Sequence, residues 1–215
     1  MPQFKAALFD LDGVLIDSET LYTQFWAEVG RVHHLPSPTF AQDIKGTTLV
    51  EILETHFSEP AIRADVDRLL HQFENEIVYP VFDGALEFVD SLRARGIATV
   101  IVTSSDEKKM RFLFDQHPDF KGHFDHIVTA ADVTHSKPHP EPYLVGAARC
   151  GCSPADAVVF EDSFQGLESG RRAGAKVVGI ATTNPAESIA GKADLVVSSL
   201  ADVDYESVAA LFANV

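Results

Sequence analysis

Two aspartates separated by one residue form the motif in this chain that is best suited to chemistry. Asp10 and Asp12 follow a short apolar run, Phe4–Phe9, and precede Gly13. Residues two apart on an extended chain point to the same side, so this spacing can direct both carboxylates to one place. Neighbouring carboxylates repel unless a shared proton or a cation compensates their charge. A hard dication with a preference for oxygen, such as Mg²⁺, would do so, and a pair of solvated acids in a turn is the alternative.

Three further polar motifs each follow a predicted buried strand. Thr103 and Ser104 offer hydroxyl and backbone N–H groups that could hold a phosphate, although a helix N-cap would use the same residue types. Lys137 lies in a loop stiffened by prolines, and its ammonium can neutralise phosphate oxygens or clustered carboxylates. Glu161 and Asp162 would complete an oxygen-rich cation site. Four complementary motifs at strand ends are more than random surface polarity would produce.

The elements that must position these motifs are short apolar runs rich in Val, Ile and Ala. They occur at Phe4–Phe9, Ala98–Val102, His126–Thr129, Ala157–Phe160, Lys176–Ile180 and Asp194–Val197. Such runs are typical of strands buried on both faces of a parallel sheet. Helical patterns between them occupy Phe82–Arg95, Glu107–Gln116, Glu141–Cys150 and Phe164–Ala173. The alternation predicts an α/β fold with a Rossmann-like, doubly wound parallel sheet as its core.

Residues 17–82 break this alternation. Helical patterns cover Ser18–His33, Thr47–His56 and Pro60–Ile77, and no convincing buried strand occurs among them. We therefore predict an α/β core of residues 1–16 and 83–215, with a small all-helical cap domain at 17–82 inserted after the first strand. Open α/β sheets bind ligands at the carboxyl edge, where the insert begins, so the insert is a candidate lid. A helical block that only adds stability is the alternative.

The composition limits the choice of partners and location. The 215 residues include 17 Lys and Arg against 32 Asp and Glu, a formal net charge of −15. This acidic excess disfavours nucleic acid and anionic membrane surfaces as partners, but not a small phosphorylated metabolite bound at a locally cationic site. No apolar run is long enough for a membrane span, and the N-terminus lacks a leader pattern. We expect a cytoplasmic monomer in which Cys150 and Cys152 are reduced.

The ordered motifs resemble those of the haloacid dehalogenase superfamily. The resemblance rests on Asp10-Leu11-Asp12-Gly13-Val14, Thr103, Lys137-Pro138 and Glu161-Asp162, and it spans nearly the whole chain. The strings DGVLIDSE and SKPHPEPY are similar to the phosphatase and β-phosphoglucomutase branch, which carries a small helical cap. Asp12 points away from true dehalogenases, because they lack the second aspartate.

The resemblance implies a phosphoric monoester hydrolase and assigns a role to each motif. Asp10 would attack phosphorus to give an aspartyl phosphate, and Asp12 would act as general acid and then as general base. Phosphate binding would fall to Thr103, Ser104 and Lys137, and Mg²⁺ binding to Asp10, Asp12 through its backbone carbonyl, Glu161 and Asp162.

The cap residues bear on the choice between phosphatase and mutase. Tyr22 stands where β-phosphoglucomutases carry a histidine, and Leu49 stands where they carry an arginine for a second phosphate. Lys45 is a poorer clamp than arginine, and with Thr47 and Tyr22 it forms our set of candidate substrate contacts. We favour a Mg²⁺-dependent phosphatase acting on a sugar phosphate over a phosphosugar mutase.

A signalling receiver or a silent binding domain is the alternative from another class. Receivers also cluster acids, a threonine and a lysine at the ends of parallel strands and are phosphorylated on aspartate. The second aspartate, Asp12, and the long helical insert both count against a receiver.

Overall fold

The computed structural model describes residues 3–44 and 49–213 and contains one six-stranded parallel sheet within them. Its strands are β1 (Ala6–Phe9), β2 (Ala98–Val102), β3 (His126–Val128), β4 (Ala157–Glu161), β5 (Lys176–Ile180) and β6 (Leu195–Val197). They lie in the order β3-β2-β1-β4-β5-β6, so the first strand is central. Phe9 is level with Ile101 of β2 on one side and with Phe160 of β4 on the other. The predicted fold class is confirmed.

The helices divide between the segment after β1 and the connections of the sheet. The first group is α1 (Ser18–Val32), α2 (Phe40–Asp43), α3 (Leu49–His56) and α4 (Pro60–Glu76). The second group is α5 (Ala85–Arg93), α6 (Glu107–Gln116), α7 (Glu141–Arg149), α8 (Phe164–Ala173), α9 (Ala186–Ile189) and α10 (Tyr205–Ala210). Short 3₁₀ turns lie at Phe120–His123, Ala130–Asp132, Pro154–Asp156 and Leu200–Asp202. Within the described residues, no helix is both long enough and apolar enough to cross a bilayer.

Packing on both faces of the sheet holds the central strands in place. On one face, Leu8 of β1 and Val159 of β4 lie in a fully buried cluster with Tyr143 of α7. Elsewhere in the core the rings of Phe9 and Phe160 stack with centroids 4.6 Å apart. Because interiors this apolar are close-packed, the residues that follow these strands emerge from a rigid base.

The helical segment has its own core. The chain separates into two compact units, one formed by Met1–Asp17 with Tyr79–Val215 and the other by Ser18–Val78. In the second unit, Trp26 and Val29 of α1 pack with Phe40 of α2 in a buried cluster. The assignment of residues 17–82 to a cap with a functional role stays a prediction.

Candidate functional site

The carboxyl ends of three adjacent strands, β2, β1 and β4, bring the predicted motif residues together. Asp10 follows β1, Thr103 follows β2, and Glu161 is the last residue of β4. The Asp10 N–H donates to the Phe160 carbonyl at 3.0 Å and the Thr103 N–H donates to the Val128 carbonyl at 2.9 Å. These bonds extend the ladder just beyond β1 and β2, so the backbone at both positions is fixed by the sheet itself.

Lys137 links two of the acids at this edge. Its Nζ lies 2.7 Å from Asp10 Oδ1, 2.7 Å from Glu161 Oε1 and 3.0 Å from the Val102 carbonyl oxygen. The side chain is 7% exposed. Burial acts to lower the pKa of Lys137, but the negative charges of Asp10 and Glu161 outweigh it and the pKa is raised. The residue is therefore an ammonium held at a fixed point beside Asp10.

The carboxylates of Asp10, Glu161 and Asp162 form a buried cluster whose ligand oxygens lie within 4.8 Å of one another. Burial raises the pKa of Asp10, and Lys137 only partly opposes this. Burial and then the charges of Glu161 and Asp10 raise the pKa of Asp162 well above its usual range. When all three carboxyls are ionised, the single ammonium leaves two negative charges without compensation. An oxygen-binding dication would balance them, so the residues present fit Mg²⁺.

Glu161 is fully occupied by protein donors. Its Oε1 accepts bonds from Lys137 Nζ at 2.7 Å and from the Tyr143 hydroxyl at 2.8 Å. Its Oε2 accepts from the Asp162 N–H at 3.1 Å, the Ser163 N–H at 3.1 Å and Ser163 Oγ at 3.0 Å. The predicted role of Glu161 as a metal ligand stays a prediction, and these bonds favour an indirect role in which it orients Lys137.

Asp12 has a different environment from Asp10. Its side chain is 29% exposed, against 12% for Asp10. Its Oδ1 accepts a bond from Lys109 Nζ, and its Oδ2 accepts from Ser105 Oγ at 3.0 Å. Ser105 also donates its N–H to Thr103 Oγ1 at 2.9 Å. Asp12 is thus the more accessible of the two aspartates and is held by a separate pair of donors.

Two glycines allow the acids to approach the backbone closely. Gly13 has a φ of +77°, and a Cβ added there would overlap the Asp162 carboxylate. A Cβ added at Gly166, in the first turn of α8, would overlap the Glu161 carboxylate. Both positions therefore require glycine, because any larger residue would collide with a carboxylate of the cluster.

The remaining predicted residues are Ser104 and the candidate substrate contacts Tyr22, Lys45 and Thr47. Ser104 is exposed at the end of β2. Tyr22 lies in α1, where its ring contacts the ring of Phe73 edge-on at 5.2 Å. Lys45 and Thr47 lie outside the described residues.

Sequence reasoning did not predict the contact of Ser105 with Asp12, and it missed Lys109 and the loop that follows β5. In that loop Thr182 Oγ1 donates to the Gly13 carbonyl, and Asn184 Nδ2 donates to the Asp162 carbonyl at 2.9 Å. The loop therefore braces the backbone that carries the acidic cluster. The rule that located the other motifs, polar residues directly after a buried strand, applies equally to Thr182–Asn184. Lys109 gives no such signal, because it lies within a helix that carries two lysines, an arginine and two acids.

Comparison with known proteins decides the family. A family model for haloacid dehalogenase-like hydrolases matches residues 7–180. The chain belongs to the haloacid dehalogenase-like hydrolase family. This member is 34% identical over 209 residues to hexitol phosphatase A of Escherichia coli (strain K12), with 93% of each chain covered. It is 31% identical over 209 residues to validoxylamine A 7'-phosphate phosphatase of Streptomyces hygroscopicus subsp. limoneus, covering 94% of this chain and 97% of the relative.

Structural comparison supports the same placement of this haloacid dehalogenase-like hydrolase. A crystal structure of a family IA, variant 3 hydrolase from Entamoeba histolytica HM-1:IMSS superposes with a TM-score of 0.82 and 25% identity. The match covers 98% of this chain and 100% of that chain. The resemblance predicted from the motifs is confirmed, as is the enzyme class, a phosphoric monoester hydrolase.

Proposed function

We propose that this hydrolase is a Mg²⁺-dependent phosphatase that acts on a small phosphorylated metabolite, a sugar phosphate, through an aspartyl phosphate. The observation that carries the proposal is the buried group formed by Asp10, Lys137, Glu161 and Asp162 at the carboxyl edge of the sheet, with Asp12 beside it. A nucleophilic carboxylate, a fixed ammonium and an acid with partial solvent access are what hydrolysis of a phosphate monoester requires.

The reaction divides into two displacements. In the first, a carboxylate oxygen of Asp10 forms a bond to phosphorus while the bond from phosphorus to the substrate's alcohol oxygen breaks, and Asp12 gives its proton to that oxygen. In the second, water attacks the phosphorus of the aspartyl phosphate, Asp12 takes the proton from the water, and inorganic phosphate leaves with Asp10 restored. The greater exposure of Asp12 suits a group that must meet both an alcohol and a water molecule.

Positioning and charge neutralisation supply the rest of the catalysis. We assign the phosphoryl oxygens to Lys137, the Thr103 hydroxyl and the Ser104 backbone N–H. Asp10, Asp162 and the backbone carbonyl of Asp12 would hold Mg²⁺, which when bound neutralises charge on the phosphoryl group. Glu161 contributes by fixing Lys137 from the side away from solvent.

The helical segment would select the substrate. We propose that residues 17–82 act as a cap and that Tyr22, Lys45 and Thr47 contact the part of the substrate that leaves. The relatives named for hexitol and for validoxylamine A 7'-phosphate support a small phosphate ester as substrate. A mutase would need a grip on a second phosphate, and Leu49 stands where an arginine would be required.

Release of phosphate from a panel of sugar and polyol monoesters tests the proposal. We expect release that depends on added Mg²⁺, and we expect Asp10→Asn to reduce it below detection because the nucleophile is lost. The Asp115→Asn variant, at an exposed position on α6, serves as a matched control and should keep wild-type activity. Turnover of β-glucose 1-phosphate with its bisphosphate activator, without release of phosphate from any ester, would instead establish a mutase.

A further inference from the structure

Lys109 is a second ammonium at the same edge of the sheet. Lys137 binds Asp10, whereas Lys109 Nζ donates to Asp12 Oδ1. The Lys109 side chain is 19% exposed. Burial acts to lower the pKa of Lys109, but the charge of Asp12 and the bond to it outweigh this effect and the pKa is raised. The two aspartates are thus bound by different ammonium groups.

Ser105 supplies the second contact to Asp12. Its Oγ donates to Asp12 Oδ2 at 3.0 Å, so the two oxygens of the carboxylate are bound by different donors. The Ser105 N–H is itself fixed by its bond to Thr103 Oγ1 at 2.9 Å. Donors at both oxygens restrict rotation of the carboxylate about its terminal torsion, which is otherwise broad.

Contacts with α6 and Tyr79 hold Lys109 in place. Its backbone N–H donates at 2.8 Å to Asp106, the N-cap of α6. Its Nζ lies 5.2 Å from the ring centroid of Tyr79, within the range of a cation–π interaction. Tyr79 is 2% exposed, and its N–H donates to Gln116 Oε1 at 2.9 Å, at the other end of α6. Helix α6 and Tyr79 thus fix the position of the Lys109 ammonium.

Orientation matters at Asp12 because proton transfer has a strict distance requirement. A general acid must come within hydrogen-bond reach of the oxygen it protonates, about 2.6–3.2 Å. A partly exposed carboxylate without fixed donors would satisfy this distance for only part of the time. Lys137 cannot orient Asp12, because it is committed to Asp10 and Glu161.

We propose that Lys109, together with Ser105, positions Asp12 for proton transfer to the leaving oxygen. The inference rests on the proposed phosphatase reaction. In its first displacement the Asp10 oxygen–phosphorus bond forms, the phosphorus–alcohol oxygen bond breaks, and the proton moves from Asp12 to that oxygen. Lys109 makes and breaks no covalent bond, so it is a positioning residue for this step.

Dependence on the leaving group separates this role from a purely structural one. Alkyl esters such as glycerol phosphate need protonation as the alcohol departs, whereas p-nitrophenyl phosphate needs little. We compare kcat/KM for the two esters, because this parameter reports only the steps through formation of the aspartyl phosphate. We expect Lys109→Met to lower the value for glycerol phosphate about 100-fold, and that for p-nitrophenyl phosphate about threefold at most. Asp12→Asn should show the same selectivity.

The controls use neighbouring positions. Lys108→Met makes the same change at an exposed site one residue away on α6 and should leave both values unchanged. Lys109→Arg keeps a cationic donor and should restore part of the loss for the alkyl ester. Ser105→Ala should also lower kcat/KM for the alkyl ester more than for p-nitrophenyl phosphate, but by a smaller factor than Lys109→Met. If Lys109→Met does not fold, Ser105→Ala tests the positioning role in its place.

Two outcomes would overturn the inference. One of them leaves the proposed phosphatase function intact, and the other overturns that function as well. Equal losses with both esters in Lys109→Met and Ser105→Ala, while the wild type is active, would overturn the positioning role alone. Failure of the wild type to release phosphate from either ester would overturn the proposed function together with it.

Discussion

The site depends on how individual carboxylates are compensated. Asp10 and Glu161 share one ammonium, Lys137, while Asp12 has Lys109 and Asp162 has neither within the bonds described. Glu161 connects three parts of the site, because its two oxygens accept hydrogen bonds from α7, from the Lys137 loop and from the backbone after β4. A change that moves this one buried carboxylate should therefore disturb the nucleophile as well.

The substitution Gly166→Ala moves that carboxylate without altering any charged group. An added Cβ would overlap Glu161, which is fully buried, so Glu161 must shift and its bond to Lys137 must change. Alanine is the better helix former, but overpacking of this kind costs about 1–3 kcal/mol. We expect a lower midpoint of urea unfolding together with a reduced kcat.

Gly122→Ala provides the comparison for this prediction. An added Cβ at Gly122 would meet no other atom within 4 Å, so neither stability nor kcat should change beyond the effect of alanine itself. A Gly166→Ala protein with wild-type kcat would show that the position of Glu161 does not matter for turnover.

At the scale of elements, the sequence predicts the strands well and the polar connections unevenly. The runs that became β2 and β5 lack polar alternation, and their predicted bounds agree with the structure. The helix expected from Phe82 begins only at Ala85, because the preceding residues form a turn in which Ala85 N–H donates to the Phe82 carbonyl. Apolar periodicity does not distinguish a turn from the first turn of a helix.

The acidic site was predictable because adjacent parallel strands bring the residues that follow them close together. Asp10, Thr103 and Glu161 are remote in sequence, yet parallel strands place their carboxyl ends at one edge. The contact between Lys109 and Asp12 was not predictable in this way, because it depends on the rotation of α6 about its own axis. The four-residue helices α2 and α9 are shorter than any period that a pattern could reveal.

Glu141, the first residue of α7, ties that helix to the Lys137 loop. Its Oε1 accepts the Thr134 N–H at 2.8 Å and its Oε2 accepts the His135 N–H at 2.9 Å. The bond from the Thr134 backbone, followed by the bond from the His135 side chain, lowers the pKa of Glu141 to about 2. A lowered pKa in the folded state means that the ionised group stabilises the fold above its usual range and loses this effect as the pH falls towards 2.

Glu141→Gln should therefore destabilise the protein at pH 7 and have a progressively smaller effect as the pH falls from 4.5 towards 2. The measurement is the difference in urea midpoint between variant and wild type at several pH values. Glu107→Gln, at the first residue of α6, controls for the interaction of an acid with a helix N-terminus. A difference that stays constant with pH would contradict the assigned role of the ionised carboxylate.

At the scale of the whole molecule, the formal charge is −15, and the acids Asp10, Glu161 and Asp162 are buried together at the site. Buried carboxylates without compensation oppose folding, because desolvation penalises the ionised form. The raised pKa of Asp162 means that this carboxyl ionises less readily in the folded than in the unfolded state, so stability falls as the pH rises from the ordinary Asp range towards the raised pKa. A molecule built in this way should gain stability when a dication arrives and should be strained without one.

The substitution Asp162→Asn should have opposite effects on thermal stability in the absence and in the presence of Mg²⁺. Without the ion, the variant should unfold at a higher temperature than the wild type at pH 7, because folding no longer has to protonate this carboxyl or bury its charge. With the ion, the wild type should gain about 2.7 kcal/mol at a hundredfold excess over the dissociation constant, and the variant should gain much less.

Thermal unfolding in EDTA and in a Mg²⁺ series measures both effects, with Asp115→Asn as the exposed control, which should follow the wild type throughout. A variant that is less stable than the wild type in EDTA would show that Asp162 stabilises the fold through its contacts, and a full Mg²⁺ response in the variant would exclude Asp162 from the site.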